Sequence, residues 1–594
     1  VTDLHQILHD RFGFSAFRGV QEEVVRRTLA GEHGLAVMPT GAGKSLCYQL
    51  PSLILKGTGI VISPLIALME DQVRVAEANG IRAAALTSAS ADPRAIRDAL
   101  RDGRLDLLYV APERATTESF SHMMGEVDIA LFAIDEAHCV SEWGHDFRPD
   151  YRLLRGLLDQ HRAIPRLALT ATADRRTRDD ILAQLGIPEE GMVIAGFDRP
   201  NIRYHVVPRD GLPGQLKRLA KAQSGPGIVY ATSRAATEKI AEQIAATNRA
   251  ALAYHAGLDG RIRKRNQRAF VDSEEMVMAA TIAFGMGIDK PDVRFVAHAG
   301  VPKSIEAYYQ ETGRAGRDGD PAEAWLFWGA DDFARARRRI ETEVEPNRRP
   351  GERDRLNALA AFVEAATCRR AILLRHFGEE PPASCGNCDN CLDPPKTIDV
   401  TTVAQKILSS AFRTDMRFGI AHLAAVLGGD DNEKVRQFGH DRLSVFGIMD
   451  AHEIALVRPV SRSLQARDAL RADDYGGLSF GPGAKPILKG EQKMVIAAPP
   501  KRVRPARRSD ANFPPDPVFD ALRAWRRDRA KEQGVPPYVI FHDSTLRAIA
   551  FAKPSSLSAL SVIDGIGDTK LERHGESLLA ALGAALEMDD VPAA

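Results

Sequence analysis

The stretch MPTGAGKSLC, residues 38–47, ends a short apolar run and opens an apolar helix pattern. Strand, glycine loop and helix in that order make a phosphate cradle. Thr40 begins the loop, Gly41 and Gly43 let backbone N–H groups turn toward phosphate oxygens, Lys44 adds a point charge, and the Ser45 hydroxyl suits Mg²⁺. A tight turn with an incidental lysine is the plain alternative, and the strand–loop–helix context speaks against it. Met38 stands where the general GxxxxGK[ST] pattern has its first glycine, but the two later glycines and the helix N-terminus supply most of the phosphate contacts.

Two further groups fit the same chemistry. In IALFAIDEAH an apolar strand ends on Asp135 and Glu136, at the sheet edge where ligands of α/β proteins collect. Asp135 is placed to hold Mg²⁺ and Glu136 to orient or deprotonate an attacking water. Either carboxylate alone reads as a solvated strand end; the pair on one sheet with the phosphate loop is a stronger signal. YYQETGRAGRDG, residues 308–319, offers Gln310, Arg314 and Arg317, and guanidiniums supplied from a second domain stabilise charge that develops on a γ-phosphate. Taken alone, that segment is a basic surface loop.

Four cysteines, Cys368, Cys385, Cys388 and Cys391, are spaced x16, x2 and x2. Four thiolates suit tetrahedral Zn²⁺, and an iron–sulfur cluster uses the same ligand type. In CVSEWGHDFRPDY, Trp143 and Phe147 alternate with His145 and Arg148 close to the carboxylates, so bases stacked on the rings can report nucleic-acid occupancy to Glu136. Core packing of Trp143 is the rival, and the polar flanks argue for an exposed loop.

These groups need a scaffold. Short apolar runs alternate with helical stretches between residues 34 and 177 and again between 225 and 330, which implies two α/β units with parallel sheets covered on both faces. A joint falls near GFDRPNIRYHVV, residues 196–207. At 594 residues the chain needs about three to five cores. With 79 basic and 79 acidic residues the net charge is +0, so any contact with a polyanion is local. No apolar run approaches the roughly 20 residues of a membrane span, and VTDLHQILHD has no export pattern, so a cytosolic protein with no membrane partner is expected.

TGAGKS, SPLIALMEDQ, YVAPER, DEAH, LTATA, IVYATSRAATE, ATIAFGMGID and QETGRAGRDG stand in the order of superfamily 2 helicase motifs, and the aromatic-rich stretch is similar to that of RecQ DNA helicases. The chain thus resembles the RecQ family. The resemblance implies adenine recognition by FGFSAFRGVQ through Phe14, Arg18 and Gln21, with Gly19-Val20 where the family has Pro-Gly, and a nucleotide contact from Asp289. It favours structural zinc at the cysteines. Residues 417–448 resemble a winged helix, whose helix bearing Lys434, Arg436, His440 and Arg442 is expected on duplex phosphates. Beyond it Pro459 is expected to interrupt the family's next helix early. Residues 516–585 resemble the helicase-and-RNase D C-terminal (HRDC) domain, giving Tyr538, Lys570 and Arg573 as single-strand contacts, although such a module also suits a protein partner.

The expected architecture is two tandem RecA-like parallel-sheet domains (1–200 and 201–335), a helical zinc-binding domain (336–397), a winged-helix domain (398–495), a linker (496–515), an all-helical HRDC-like domain (516–585) and an acidic tail (586–594). The function implied is ATP-dependent unwinding of DNA, 3′ to 5′, in recombination, repair, the SOS response or replication-fork maintenance. ATP, Mg²⁺ and Zn²⁺ are the implied cofactors; single-stranded and duplex DNA, single-stranded DNA-binding protein and other repair factors are the implied partners, in a bacterial nucleoid-associated setting. An RNA helicase of the DEAD or DEAH class is the enzyme alternative, and a nucleic-acid-binding protein with vestigial hydrolysis is the non-enzyme one.

Overall fold

The structure, a computed structural model, describes residues 3–64, 66–88, 90, 92–142, 144, 147–284, 290–346, 348–472, 477–497 and 516–589. Continuous apolar runs can only be satisfied by burial on both faces, and they form the strands of two parallel sheets. The first contains β1 (Gly34–Val37), β2 (Thr58–Ile62), β3 (Ala83–Leu86), β4 (Leu107–Val110), β5 (Ile129–Ile134), β6 (Arg166–Thr170) and β7 (Met192–Ile194) in the order β3-β4-β2-β5-β6-β1-β7. Alternation along β1 sends Leu35 and Val37 into one core layer and Ala36 into the other, with Met38 just beyond the strand on the same side as Ala36.

The second sheet has β8 (Ile202–Pro208), β9 (Gly227–Tyr230), β10 (Ala251–Tyr254), β11 (Val277–Ala280), β12 (Phe295–His298) and β13 (Ala322–Trp328) in the order β10-β11-β9-β12-β13-β8. β8 grows directly out of the joint and pairs along its full length with β13, from Ile202 opposite Ala322 to Pro208 opposite Trp328. Strands β3, β7 and β8 are additional to the apolar runs evident in the sequence. β3 is the alanine-rich AAAL, β7 has three residues, and β8 alternates with polar side chains at the sheet edge.

The zinc-bearing helices bridge the lobes. Phe362, Cys368 and Cys388 pack with Tyr308 of the second lobe, while Leu374 and Phe377 join the first lobe's core beside Phe197 and Tyr309. In the following domain the helix Ala451–Ala466 runs straight through Pro459, contrary to the expected interruption. An Asp450–Glu453 capping box starts it, and Leu456, Val457, Val460 and Leu464 bury a continuous stripe. Four buried apolar side chains at about 1.5–3 kcal/mol each outweigh a proline penalty of about 3 kcal/mol.

The C-terminal helices, from Pro517–Gln533 to Asp568–Asp589, form a separate core that docks on both lobes. Gly565 N–H donates to the Gly13 carbonyl at 2.7 Å, and a side chain at Gly13, where φ is +72°, would meet Gly567 N at 2.5 Å. On the second lobe Glu274 receives Arg523, Arg526 and Arg527 at 3.0, 2.8 and 3.2 Å, and Asp320 receives Arg547 at 3.1 Å. No described helix is long and apolar enough to cross a membrane.

Candidate active site

β1 and β5 flank β6, so the loop after β1 and the carboxylates after β5 emerge at the same carboxyl edge. Gly41 and Gly43 hold φ of +85° and +73°, which favours glycine and turns the loop back on itself. Lys44 Nζ reaches the Met38 carbonyl at 3.3 Å, and Ser45 leads into the helix Leu46–Ile54. Gln21 does not project free: its Nε2 donates to the Ala42 and Gly43 carbonyls at 2.8 and 3.3 Å, and its Oε1 accepts from Arg18 N at 2.8 Å. The Arg18 guanidinium lies 5.7 Å from the centre of the Phe14 ring. Phe14, Arg18 and Gln21 thus form one unit touching the phosphate loop.

Asp135 is buried, and its own carboxylate accepts from Glu136 N at 3.0 Å. Burial first, then the adjacent Glu136, push its carboxyl up to about 7, against the pull of Lys44. Glu136 stands at φ +49°, a left-handed conformation that costs a non-glycine residue. His138 Nδ1 lies 3.3 Å from Glu136 Oε2 and 3.0 Å from Thr170 Oγ1, and the Tyr151 hydroxyl donates to the Asp135 carbonyl at 3.0 Å. Among the described residues, Thr40 Oγ1, Ser63 Oγ and Thr172 Oγ1 are buried at this edge without a hydrogen bond. A concentration of unsatisfied oxygens around two carboxylates suits a hard cation and a phosphate-bearing ligand.

The second lobe presents Gln310 on the helix Ile305–Thr312, followed by Arg314 and Arg317. A side chain at Gly41 would come within 3.2 Å of Arg317 Cγ, and one at Gly313 within 3.3 Å of Thr40 Cβ. The two loops are therefore in van der Waals contact across the cleft. Arg314 is buried beside Tyr230 at the end of β9. Asp289 lies outside the described residues.

Sequence reasoning located the joint but missed Arg199 and Asn201 within it. Arg199 donates to the carbonyls of Thr40, Gly313, Ala315 and Gly316, and Asn201 Nδ2 to those of Gly316 and Asp320, both at 2.8 Å. The charged Asp-Arg-Pro-Asn between two sheets was the available signal.

Cys368, Cys385, Cys388 and Cys391 bring their sulfurs within 4.8 Å of one another. Two pairs stand 3.9 and 4.0 Å apart, close to the roughly 3.8 Å edge of a tetrahedron with 2.3 Å zinc–sulfur bonds. Backbone N–H groups of Arg369, Ala371 and Asn387 point at three of the sulfurs, each at 3.4 Å, as thiolate ligands require. The set is a four-cysteine zinc site.

The expected nucleic-acid residues divide. Trp143 and His145 lie outside the described residues. Phe147 is half-buried between the guanidiniums of Arg152 and Arg348, and Arg148 donates to the Pro64 carbonyl at 3.2 Å, tying the aromatic stretch to the end of β2. Lys434, over the Phe418 ring, and Arg436, paired with Asp431 at 3.0 Å, sit on the short helix Glu433–Gln437. His440 is not on that helix. It is buried in a separate turn with its Nδ1 2.8 Å from His422 Nε2, because Gly439 at φ +69° breaks the helix, so a surface contact is corrected to a core one. Tyr538, Lys570 and Arg573 line a cavity of about 240 Å³ shared with Asp71 and Arg74 of the first lobe. Burial lowers Lys570 to about 8, and its ammonium lies 5.6 Å from the Phe541 ring centre.

Comparison with known proteins accounts for the whole layout. Family models match in order: DEAD/DEAH box helicase at residues 18–181, helicase conserved C-terminal domain at 212–319, RecQ zinc-binding at 330–392, RQC domain at 394–505 and HRDC domain at 516–582. The ATP-dependent DNA helicase RecQ of Pasteurella multocida is 43% identical over 584 residues, covering 96% of this chain and 92% of that protein. Its counterparts in Haemophilus influenzae and Bacillus subtilis are 42% and 37% identical, covering 97% and 98% of this chain and 95% and 99% of those proteins.

Proposed function

The chain belongs to the RecQ family of ATP-dependent DNA helicases, and from that membership we propose which of its residues convert ATP hydrolysis into strand separation. The observation that carries the reading is the contact of the Gly313–Arg317 segment with Thr40 and Gly41, which brings lysine, carboxylates and arginines from two lobes to one cleft.

Lys44 and the loop amides hold the nucleotide phosphates, while Phe14, Arg18 and Gln21 seat the base and report its presence through the Ala42 and Gly43 carbonyls. Glu136, steered by its left-handed backbone and by His138, orients the attacking water. Arg317, with Arg314 and Gln310, stabilises charge developing on the transferred phosphoryl group, so hydrolysis depends on how the lobes meet. Asp135 and Ser45 would hold Mg²⁺, which would supply positive charge against the phosphate oxygens. On the DNA side Phe147, Arg148, Trp143 and His145 couple a bound strand to Glu136, Lys434 and Arg436 meet duplex phosphates, and Tyr538 and Lys570 meet a single strand once the cavity opens.

Strand displacement on matched forked DNA and forked RNA, with and without ATP, tests the reading. ATP-dependent opening of DNA is expected; opening of RNA alone, or of either without ATP, would overturn it.

A further inference from the structure

Arg199 belongs neither to the phosphate loop nor to the arginine-bearing segment, yet it touches both. Its Nη1 donates to the Thr40 carbonyl and to that of Gly313 at 3.1 Å; its Nη2 donates to Ala315 and Gly316 at 3.0 and 2.8 Å. Four backbone acceptors from two lobes converge on one guanidinium. Among the described residues no carboxylate pairs with it. A planar fork of fixed donors held only by carbonyls is a geometric device, and a point charge on a flexible stem cannot reproduce it.

The neighbouring residues sharpen the contrast. Asn201 grips the same segment through Gly316 and Asp320, but among the described residues its side chain bonds nothing on the first lobe. The backbone from which Arg199 projects is itself fixed. Arg370 Nη2 donates to the Pro200 and Ile202 carbonyls at 3.1 and 2.7 Å, Asn387 to Pro200 at 3.1 Å, and the Tyr309 hydroxyl to Phe197 at 2.7 Å. A side chain at Gly41 would lie 3.4 Å from Arg199 Nη1 and 3.2 Å from Arg317 Cγ, so the two guanidinium side chains press on the same point of the phosphate loop.

We propose that Arg199 is a positioning residue for ATP hydrolysis: by bonding Thr40 on one lobe and Gly313 to Gly316 on the other, it registers Arg317 against the phosphate loop. It acts on the rate of the chemical step through alignment and adds nothing to nucleotide affinity. The proposal rests on reading the cleft as the ATPase site.

The test is steady-state ATP hydrolysis by the full chain with saturating single-stranded DNA, for Arg199→Lys, Arg199→Gln, Asn201→Ala and Lys44→Ala beside the unaltered protein. Fluorescent-nucleotide affinity and melting temperature are measured on each. Both Arg199 variants are expected to lose about 10- to 100-fold in kcat, as misalignment of about an ångström does, with KM and nucleotide Kd changed by less than about threefold. Asn201→Ala, which breaks no bond between lobes, is expected to lose less than about threefold. Normal kcat in Arg199→Lys and Arg199→Gln, an effect on KM alone, or an equal loss in Asn201→Ala would overturn the proposal. So would unfolding of every Arg199 variant at the assay temperature, which would make the residue one of folding. Full activity in Lys44→Ala would instead overturn the site assignment, a separable failure.

Discussion

The nucleotide cleft and the seat of the C-terminal helices are both interfaces across the two lobes, and they are built on opposite electrostatic plans. In the cleft, cations face backbone carbonyls, as Lys44 faces Met38 and Arg199 faces Thr40, while Asp135 and Glu136 stand side by side as like charges. At the seat, opposite charges meet: Glu274 with three arginines, Asp543 with Arg526 at 2.7 Å, Asp320 with Arg547. A cleft that crowds two carboxylates beside a phosphate-binding loop is completed by a ligand, whereas a seat of opposite charges completes itself. The first plan suits a cycle driven by binding and release, the second a docked module.

Metal removal gives the largest expected effect on this contrast. The zinc element anchors the joint through Arg370 and Asn387, and structural zinc is worth about 10 kcal/mol or more in small domains. Chelation, or Cys385→Ser, should release the zinc, lower the melting temperature and reduce hydrolysis, while the Arg526–Glu274 seat persists. Metal analysis, calorimetry and hydrogen exchange in Pro517–Gln533 measure these; retained zinc and stability in Cys385→Ser would reject the assignment. Next in size, Glu136→Gln should slow hydrolysis by about 10²–10⁴-fold with unchanged melting temperature and little change in DNA affinity, since a water-orienting carboxylate acts only on the chemistry. Normal ATP-driven unwinding in that variant would remove Glu136 from its role.

The two interfaces also differ in how far the sequence reveals them. The cleft is legible because its chemistry demands particular residues at particular spacings: Gly41, Gly43, Lys44, Asp135, Glu136, Arg314 and Arg317 stand in contiguous motifs at the ends of apolar runs. The position of its joint is legible too, but the bridging role of Arg199 is not, because Arg199 binds carbonyls, which every residue carries and no motif records. The seat is illegible for another reason. Glu274 and Arg526 are 252 residues apart, and each alone reads as an ordinary surface charge. His440 misleads in the same way, since its burial depends on His422 and on the turn at Gly439. Pro459 shows tertiary packing overriding a local rule, because Leu456, Val457, Val460 and Leu464 bury a stripe that holds the helix through the proline.

Breaking the seat tests whether its matched charges hold the module down. Glu274→Gln leaves Arg523 and Arg527 facing a neutral group and leaves Arg526, which is 2% exposed, with the Asp543 carboxylate and the Phe541 carbonyl. Removing one member of a buried pair costs about 3–5 kcal/mol, but here the loss is capped by the docking free energy, because undocking returns the arginines to water. The module should swing free, seen as a larger radius of gyration in solution scattering and faster exchange in Pro517–Gln533, with hydrolysis at saturating DNA retained. A module that stays docked would mean that other contacts, such as the bond from Gly565 N–H to the Gly13 carbonyl, carry the seat.

The smallest effect is expected at Asp320, and it is the one that can break the comparison itself. Asp320 closes the arginine-bearing segment, where its carbonyl accepts from Asn201, and its carboxylate faces Arg547 at 3.1 Å and Arg294 at 3.7 Å. It is thus the point where cleft and seat touch. Asp320→Asn removes the charge and keeps the backbone acceptor, so the grip of Asn201 survives. Arg547 is 29% exposed and also lies over the Phe519 ring at 4.7 Å, so the lost pair is worth about 1 kcal/mol and shifts docking by about fivefold. If cleft and seat are independent, exchange in the C-terminal helices quickens slightly while kcat and KM for ATP stay as they were. If instead kcat changes by as much as docking does, the module is coupled to the arginine-bearing segment through this carboxylate, and the self-completed seat is part of the ATPase after all.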